Sequence, residues 1–265
     1  VKDVPSVADV VQEALALKAA PHDNNDLGKH RTLGLVFLNP SLRTRLSTQK
    51  AAMNLGMNVI VMNMDKDGWA LETQDGVIMN GSTVEHIREA AAVMGEYCDI
   101  LGLRSFPKLK DREEDYSEDL FNKFIKYCGV PVVSLESATR HPLQSLTDII
   151  TITEHKKTAK PKVVLAWAPH VKALPQAVPN SFAEWMCKAQ EEGLVEFTIA
   201  QPMGYELSKD FTKGAAISTN LNESLKDADF VYVKNWSSYR EYGEVYTVDD
   251  DWMMNNEKLA LTNDA

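Results

Sequence analysis

The sequence predicts an α/β protein with two domains, each built on a parallel sheet. Short apolar runs alternate with longer helical patterns, and this alternation stops and restarts once near the middle of the chain. The 265 residues suffice for two domains of ordinary size. Hydrophobic residues make up 44% of the chain and charged residues 25%, which is typical of a protein with a packed core.

The first domain is predicted from four apolar runs rich in β-branched residues. Runs that are apolar throughout indicate strands covered on both faces, as in parallel sheets. The predicted strands are "TLGLVFL" (32–38), "NVIVM" (58–62), "DILGLR" (99–104) and "PVVSL" (131–135), with helical patterns near 44–55, 85–98 and 115–128.

The second domain repeats the pattern after a connecting helix. Its predicted strands are "PKVVLAWA" (161–168), "VEFTIA" (195–200), "AIST" (216–219) and "ADFVYV" (228–233). A helix between the first two is predicted to have Asn180 or Ser181 as its N-cap and to stop at Gly193. We therefore place the first domain at 1–140, the connecting helix at 141–157 and the second domain at 158–265.

Composition excludes several classes of function. The net charge is −10 and the pI about 5.1, with no run of Lys and Arg, so we expect a small-molecule partner and no nucleic acid. Cys98, Cys128 and Cys187 lie far apart in no CxxC pair, which indicates a reducing compartment and no zinc site. No apolar run has membrane-spanning length, and the N-terminus lacks a signal-peptide pattern. We expect a cytoplasmic protein with no membrane contact, metal or cofactor.

The stretch "FLNPSLRTRLSTQK" (37–50) places two arginines and two hydroxyls where a strand leads into a helix. Free backbone N–H groups and the positive end of the helix dipole favour an anion there. Ser41 and Thr44 can add hydroxyl donors, and one of Arg43 and Arg45 can form paired hydrogen bonds with an oxyanion. The alternative is an ordinary helix start with solvated charges. The chain has no glycine-rich nucleotide motif, which disfavours ATP and dinucleotides and hence an NAD-dependent oxidoreductase.

Further polar side chains follow the next strands. Arg104 ends the third strand, and "ESATRHPLQ" (136–144) follows the fourth with Glu136, Arg140, His141 and Gln144. Alone, each has a simpler explanation, such as a solvated strand edge or a capped loop histidine. Because the carboxyl ends of parallel strands share one edge of a sheet, we expect these clusters to form a ligand site.

These motifs resemble the transcarbamylases, which transfer a carbamoyl group from carbamoyl phosphate. "SLRTR" is similar to their S-x-R-T-R phosphate signature, and "HPLQ" to their H-P-x-Q motif. The stretches "DGW" (67–69), "EHIREAAAVMGEYCDILGLRSF" (85–106), "AWAPH" (166–170) and "VKNW" (233–236) resemble the branch that acts on N-acetylornithine or N-succinylornithine. The resemblance covers nearly the whole chain.

The resemblance implies a role for each matching residue. It implies that Ser41, Leu42, Arg43 and Thr44 bind the phosphate of carbamoyl phosphate, and that Trp69 reaches that substrate from a neighbouring subunit. Arg104, His141 and Gln144 would hold the carbamoyl end and, with Thr44, form the catalytic set. Glu136, His170 and Lys234 would bind the acylornithine.

The resemblance also implies an assembly and a pathway. The family forms homotrimers with active sites shared between subunits and serves arginine biosynthesis. In this branch the chain path near Pro175 to Pro179 is knotted, so we expect a knot in the second domain. The family pattern continues after "LALTNDA" (259–265) with an H-C-L-P-x-R segment that carries a substrate-binding arginine, and that segment lies outside these 265 residues.

The expected substrate depends on Val84. Ser82 and Glu85 have capping-box spacing, which predicts Val84 in the first turn of the next helix, where a simple apolar contact is the alternative role. In the resembling branch a glutamate at this position accompanies acetylornithine and an apolar proline accompanies succinylornithine. A glutamate would repel the succinyl carboxylate, whereas Val84 adds no charge. We therefore expect N-succinyl-L-ornithine, with N-acetyl-L-ornithine or a non-catalytic anion-binding paralogue as alternatives.

Overall fold

The computed structural model describes residues 1–64, 70–246 and 250–265 and confirms the α/β class with parallel sheets. The strands are β1 Thr32–Phe37, β2 Asn58–Asn63, β3 Leu71–Glu72, β4 Glu85–His86, β5 Ile100–Arg104, β6 Val132–Glu136, β7 Lys162–Trp167, β8 Glu196–Ala200, β9 Ala216–Ser218 and β10 Phe230–Lys234. The α-helices are α1 Val7–Ala19, α2 Arg43–Asn54, α3 Ile87–Tyr97, α4 Arg112–Ser117, α5 Asp119–Tyr127, α6 Pro142–His155, α7 Ala177–Glu191, α8 Leu221–Leu225 and α9 Asn256–Leu259.

The first sheet has the order β2-β1-β5-β6, and its paired strands are all parallel. Successive side chains of β1 enter different apolar clusters. Leu35 and Phe37 pack with Leu135 of β6, whereas Val36 packs with Leu103 and Phe124. Both faces of the sheet are therefore covered, which is why its strands read as apolar throughout.

The second sheet has the order β10-β7-β8-β9 and is also parallel. One of its two inner strands, β7, is buried from Val163 to Trp167. The Trp167 indole N–H donates to the carbonyl of Trp236 (3.0 Å), and the Trp236 indole N–H donates to the carbonyl of Tyr205 (2.7 Å). These bonds satisfy the polar atoms of two buried aromatic rings beside the carboxyl ends of β7 and β10.

The chain forms two compact units that do not follow a single cut in the sequence. One unit contains Val1–Ala16, Lys108–Glu113 and Thr139–Ala265, and the other contains Leu17–Pro107 and Glu114–Ala138. The start of α1 therefore belongs with the second sheet, through Val7 and Val11 in its core. The domain bounds read from the sequence stay a prediction.

The structure corrects two predicted helix starts. Gln176 occupies the N-cap position of α7, so Asn180 and Ser181 are buried inside the helix and not at its N-cap. Gly193 follows the end of this helix in a left-handed conformation (φ 74°), as predicted. Helix α3 begins at Ile87 with His86 as its N-cap, whose ring nitrogen accepts from the backbone N–H of Arg88 (3.1 Å).

The predicted capping box was therefore wrong, and Val84 precedes the helix. The cause is the short strand β4, which pairs with β3 in parallel and holds Glu85 and His86 extended. Capping-box spacing alone did not reveal this pairing, because β3 lies earlier in the long connection.

Candidate functional site

The start of α2 has features that favour an anion at a helix terminus. Ser41 Oγ accepts a hydrogen bond from the backbone N–H of Thr44 (3.3 Å), and the N-cap residue Leu42 supplies no side-chain cap. The first turn contains no acidic residue, so no side chain of that turn offsets the positive end of the helix. The N–H groups of a first helical turn lack intrahelical partners, so they can bind an anion.

The two arginines of "SLRTR" have different surroundings. Arg45 donates to Asn63 Oδ1 (3.3 Å), and its guanidinium carbon lies 5.9 Å from the centre of the Phe37 ring. Arg43 is exposed, and its positive charge contributes to lowering the pKa of Arg104. Arg43 is therefore the arginine of this pair that adds positive potential next to Arg104.

Arg104 is the centre of the site in the first sheet. Its side chain is only 10% exposed, and its Nη1 lies 2.5 Å from Glu136 Oε2 and donates to Thr44 Oγ1 (3.2 Å). Its guanidinium carbon lies 4.7 Å from the centre of the Phe106 ring. The described residues supply no partner for its buried Nε–H. This unpaired donor points to a ligand, since a buried donor without a partner is costly.

Charge and burial oppose each other at Arg104. Burial lowers the pKa of the Arg104 guanidinium, the Glu136 carboxylate raises it, and Arg43 lowers it again. An anionic ligand would stabilise the charged guanidinium further, because two arginines and one carboxylate leave a local excess of positive charge.

A strand irregularity brings Arg104 and Glu136 together. Strands β5 and β6 pair in regular steps up to Leu103 and Ser134, and the register then shifts so that Arg104 lies opposite Glu136. Without this shift Arg104 would lie opposite Leu135, which packs in the core.

His141 and Gln144 lie at the start of α6, where Pro142 occupies the first turn. The backbone N–H of His141 donates to Ser181 Oγ (2.8 Å), and the Asn180 side-chain amide donates to the carbonyl of Thr139 (3.2 Å). The sequence pattern predicted Asn180 or Ser181 as a helix N-cap, yet both side chains bond the backbone of the segment that carries His141. This role depends on how α7 packs, and no sequence spacing indicates it.

Arg140 has a structural role in this segment. It forms an ion pair with Glu184 (3.2 Å) and lies over the Phe211 ring at 4.6 Å. Arg140 therefore contacts α7 through Glu184 and the loop after β8 through Phe211.

Lys234 is the last residue of β10, and His170 follows the carboxyl end of the neighbouring strand β7. Trp167 of β7 is paired with Lys234 of β10, and the carbonyl of Lys234 accepts from the N–H of Ala168 (3.0 Å). His170 is exposed, and its Nδ1 accepts from the backbone N–H of Lys172 (3.1 Å). Both side chains therefore start from the same edge of the sheet.

Two other predicted site residues lie in the long connection after β2. Val84 is 64% exposed and precedes β4. Trp69 lies outside the described residues.

None of the described helices combines the length and apolar character needed to cross a bilayer. In residues 1–64, 70–246 and 250–265, no group of three or more His, Cys, Asp or Glu side chains could hold a metal ion.

Comparison with known proteins decides the family. Residues 3–154 match the aspartate/ornithine carbamoyltransferase carbamoyl-P binding domain. The chain is also 49% identical, over all of its length and 83% of the relative, to N-succinylornithine carbamoyltransferase of Bacteroides thetaiotaomicron. The chain belongs to the aspartate/ornithine carbamoyltransferase family. The resemblance read from "SLRTR" and "HPLQ" is thereby confirmed.

Other carbamoyltransferases are more distant. The chain is 33% identical to N-acetylornithine carbamoyltransferase of Xanthomonas campestris pv. campestris, over 96% of this chain and 80% of that protein. It is also similar to a crystal structure of acetylornithine transcarbamylase complexed with acetylcitrulline (TM-score 0.82, 31% identity, 97% of this chain and 81% of that one).

One further solved structure concerns the acyl group. It is a glutamate-to-valine mutant of N-acetyl-L-ornithine transcarbamylase complexed with carbamyl phosphate and N-succinyl-L-norvaline. The TM-score is 0.83 and the identity 31%, over 97% of this chain and 82% of that one.

Proposed function

We propose that this protein transfers the carbamoyl group of carbamoyl phosphate to the δ-amine of N-succinyl-L-ornithine. The products are N-succinyl-L-citrulline and phosphate, in arginine biosynthesis. The observation that carries the proposal is the buried Arg104, which contacts Thr44 and Glu136 and is close enough to Arg43 for their charges to interact. Its Nε–H has no hydrogen-bond partner among the residues that the structure describes. The 49% identity to N-succinylornithine carbamoyltransferases supports it independently.

The phosphate group is assigned to the start of α2. Ser41, Leu42, Arg43 and Thr44 offer backbone N–H groups, hydroxyls and one guanidinium in a single turn, which suits an oxyanion with several acceptor oxygens. The same groups stabilise the negative charge of the phosphate as it leaves.

The carbamoyl group is assigned to Arg104, His141 and Gln144. The neutral δ-amine attacks the carbamoyl carbon and forms the C–N bond, and the carbonyl oxygen becomes a tetrahedral oxyanion. Donors from Arg104, Thr44 and His141 are suited to stabilise this oxygen. The intermediate then breaks its C–O bond to phosphate, and the nitrogen passes one proton to the departing phosphate, which leaves a ureido product and hydrogen phosphate.

The acylornithine is assigned to Glu136, His170 and Lys234, with Val84 beside the acyl group. A neutral side chain at Val84 permits the second carboxylate of a succinyl group, which a glutamate would repel. The glutamate-to-valine mutant complexed with N-succinyl-L-norvaline supports this assignment. N-acetyl-L-ornithine is the alternative substrate, because an N-acetylornithine carbamoyltransferase is 33% identical to this chain.

The proposed location and assembly follow the family. The three cysteines are free and buried, which supports a reducing, cytoplasmic location. We propose a homotrimer in which Trp69 of one subunit contributes to the carbamoyl phosphate site of the next.

Incubation with ¹³C-labelled carbamoyl phosphate and a panel of amines tests the reaction class. We expect a ureido carbon signal and equimolar phosphate with N-succinyl-L-ornithine, and little product with unmodified ornithine. Arg104→Ala, checked for folding by circular dichroism, is the negative control. Tight binding of carbamoyl phosphate without any product from any acylornithine would instead identify a non-catalytic anion-binding paralogue.

A further inference from the structure

We propose that Asp148 is a positioning residue for Gln144: it orients the side-chain amide so that Oε1 is presented to the amino group of carbamoyl phosphate. This inference rests on the proposed function and concerns a side chain that the assigned site does not include. Asp148 lies one helical turn after Gln144 on α6.

The hydrogen bond between the two side chains fixes the orientation of the amide. Gln144 Nε2 donates to Asp148 Oδ1 at 2.9 Å. An ionised carboxylate can only accept hydrogen bonds, so it selects the –NH₂ end of the amide. The Oε1 atom is then left facing away from Asp148, as an acceptor for an N–H donor such as the carbamoyl amino group.

The surroundings of Asp148 destabilise its charged form. Its Oδ2 is buried and has no hydrogen-bond partner among the described residues. Burial raises the pKa of Asp148 to about 6, opposed by the bond from Gln144. The titratable group that faces it from β10 is Tyr232, whose pKa is raised by its own burial and then by the charge of Asp148. A partly buried carboxylate with one unsatisfied oxygen lowers stability, which is consistent with its being retained for the orientation of Gln144.

Protonation of Asp148 has a specific consequence for Gln144. A neutral carboxyl group carries an O–H donor, which can pair with Oε1 of the amide. The amide would then turn by about 180° and present its –NH₂ group to the carbamoyl –NH₂ group, so that two donors face each other. The orienting effect is therefore present above pH 6 and lost as the pH falls through 6.

Two measurements test this inference on the full-length protein. The first is an NMR titration of glutamine side-chain amides, with the Gln144 signals assigned by their loss in Gln144→Asn. We expect these signals to shift with a midpoint near pH 6. They should not shift at that midpoint in Asp148→Asn, and they should shift unchanged in the control Glu154→Gln, at an exposed site on the same helix.

The second measurement is the ratio of kcat/KM between the protein and its variants from pH 5 to pH 8. Asp148→Asn keeps an acceptor oxygen, so at pH 8 we expect a loss of about threefold to tenfold, and about thirtyfold or more for Asp148→Ala. The loss caused by Asp148→Asn should shrink as the pH falls through 6. In a Gln144→Ala background, Asp148→Asn should have almost no further effect.

A pH-independent kcat/KM ratio, together with Gln144 signals that do not respond to Asp148, would overturn the inference. If the unmutated protein forms no ureido product, the proposed function fails. The NMR titration still decides in that case whether Asp148 orients Gln144.

Discussion

Arg43 and Arg45 lie two positions apart but have different partners. Arg45 is held by Asn63 and lies near the Phe37 ring, whereas Arg43 is exposed and acts electrostatically on Arg104. The sequence indicated that one arginine of the pair would reach the ligand. The residue pattern left open which one, because that depends on the packing of α2 against β1 and β2, and the resemblance to the transcarbamylases implied Arg43.

We expect Arg43→Ala to weaken carbamoyl phosphate binding by about 1.5–3 kcal/mol, since it removes a charge-assisted hydrogen bond to the phosphate. Arg45→Ala is the matched control, and it should weaken binding much less. Calorimetric titration of both variants with carbamoyl phosphate measures the difference. Equal losses in the two variants would contradict the assignment of Arg43.

Glu136 compensates the charge of the buried Arg104. Its carboxylate lies 2.5 Å from Arg104, and both side chains are at most 10% exposed. Removing one partner of such a pair leaves an uncompensated buried charge, so we expect Glu136→Ala to lower the free energy of unfolding by about 3–5 kcal/mol. The double variant Arg104→Ala/Glu136→Ala should be less destabilised than Glu136→Ala alone in urea unfolding. Additive losses would show that the pair does not act as a unit.

At the scale of the element, the eight main strands agree with the sequence prediction to within two residues at each end. Continuous apolar runs are a strong signal for strands that are covered on both faces. Helix starts were less predictable. In α7, Asn180 and Ser181 lie inside the helix and bond the distant residues Thr139 and His141. Helix α3 starts at Ile87, after β4 has paired with β3.

Helix α6 allows a stability test that is independent of catalysis. Asp148 has a raised pKa in the folded protein, so folding is penalised above pH 6 and the penalty disappears as the pH falls below the ordinary aspartate value of about 4. We therefore expect Asp148→Asn to raise the free energy of unfolding by about 1–2 kcal/mol at pH 8 and by much less at pH 4. Urea unfolding at both pH values measures this. A gain that is equal at both would show that the charge of Asp148 is not the cause.

At the scale of the whole molecule, motif spacing predicted the family, and the comparisons confirm it. The sequence also predicted which residues follow the strand ends, because each strand is a continuous apolar run whose end is visible in the sequence. It could not predict the register shift that pairs Arg104 with Glu136, or the contacts of Asn180 and Ser181, since these depend on three-dimensional packing.

The proposed assembly can be tested by subunit exchange. If Trp69 completes the site of a neighbouring subunit, mixed trimers of Trp69→Ala and Arg104→Ala chains contain some sites with neither change. We expect each variant alone to be inactive and the exchanged mixture to recover part of the activity. Exchange without any recovery, with mixing verified by mass spectrometry of differently labelled chains, would place Trp69 in its own subunit.

The most direct test of the proposed function is the ratio of kcat/KM for N-succinyl-L-ornithine and N-acetyl-L-ornithine with saturating carbamoyl phosphate. It is measured on the full-length protein and on Val84→Glu. The neutral, exposed Val84 leads us to expect that the unmutated protein prefers the succinyl substrate by at least about tenfold, which corresponds to about 1.4 kcal/mol. Val84→Glu should shift the ratio towards the acetyl substrate, mainly by repelling the succinyl carboxylate. A preference for N-acetyl-L-ornithine in the unmutated protein, or a ratio that Val84→Glu leaves unchanged, would contradict the proposal.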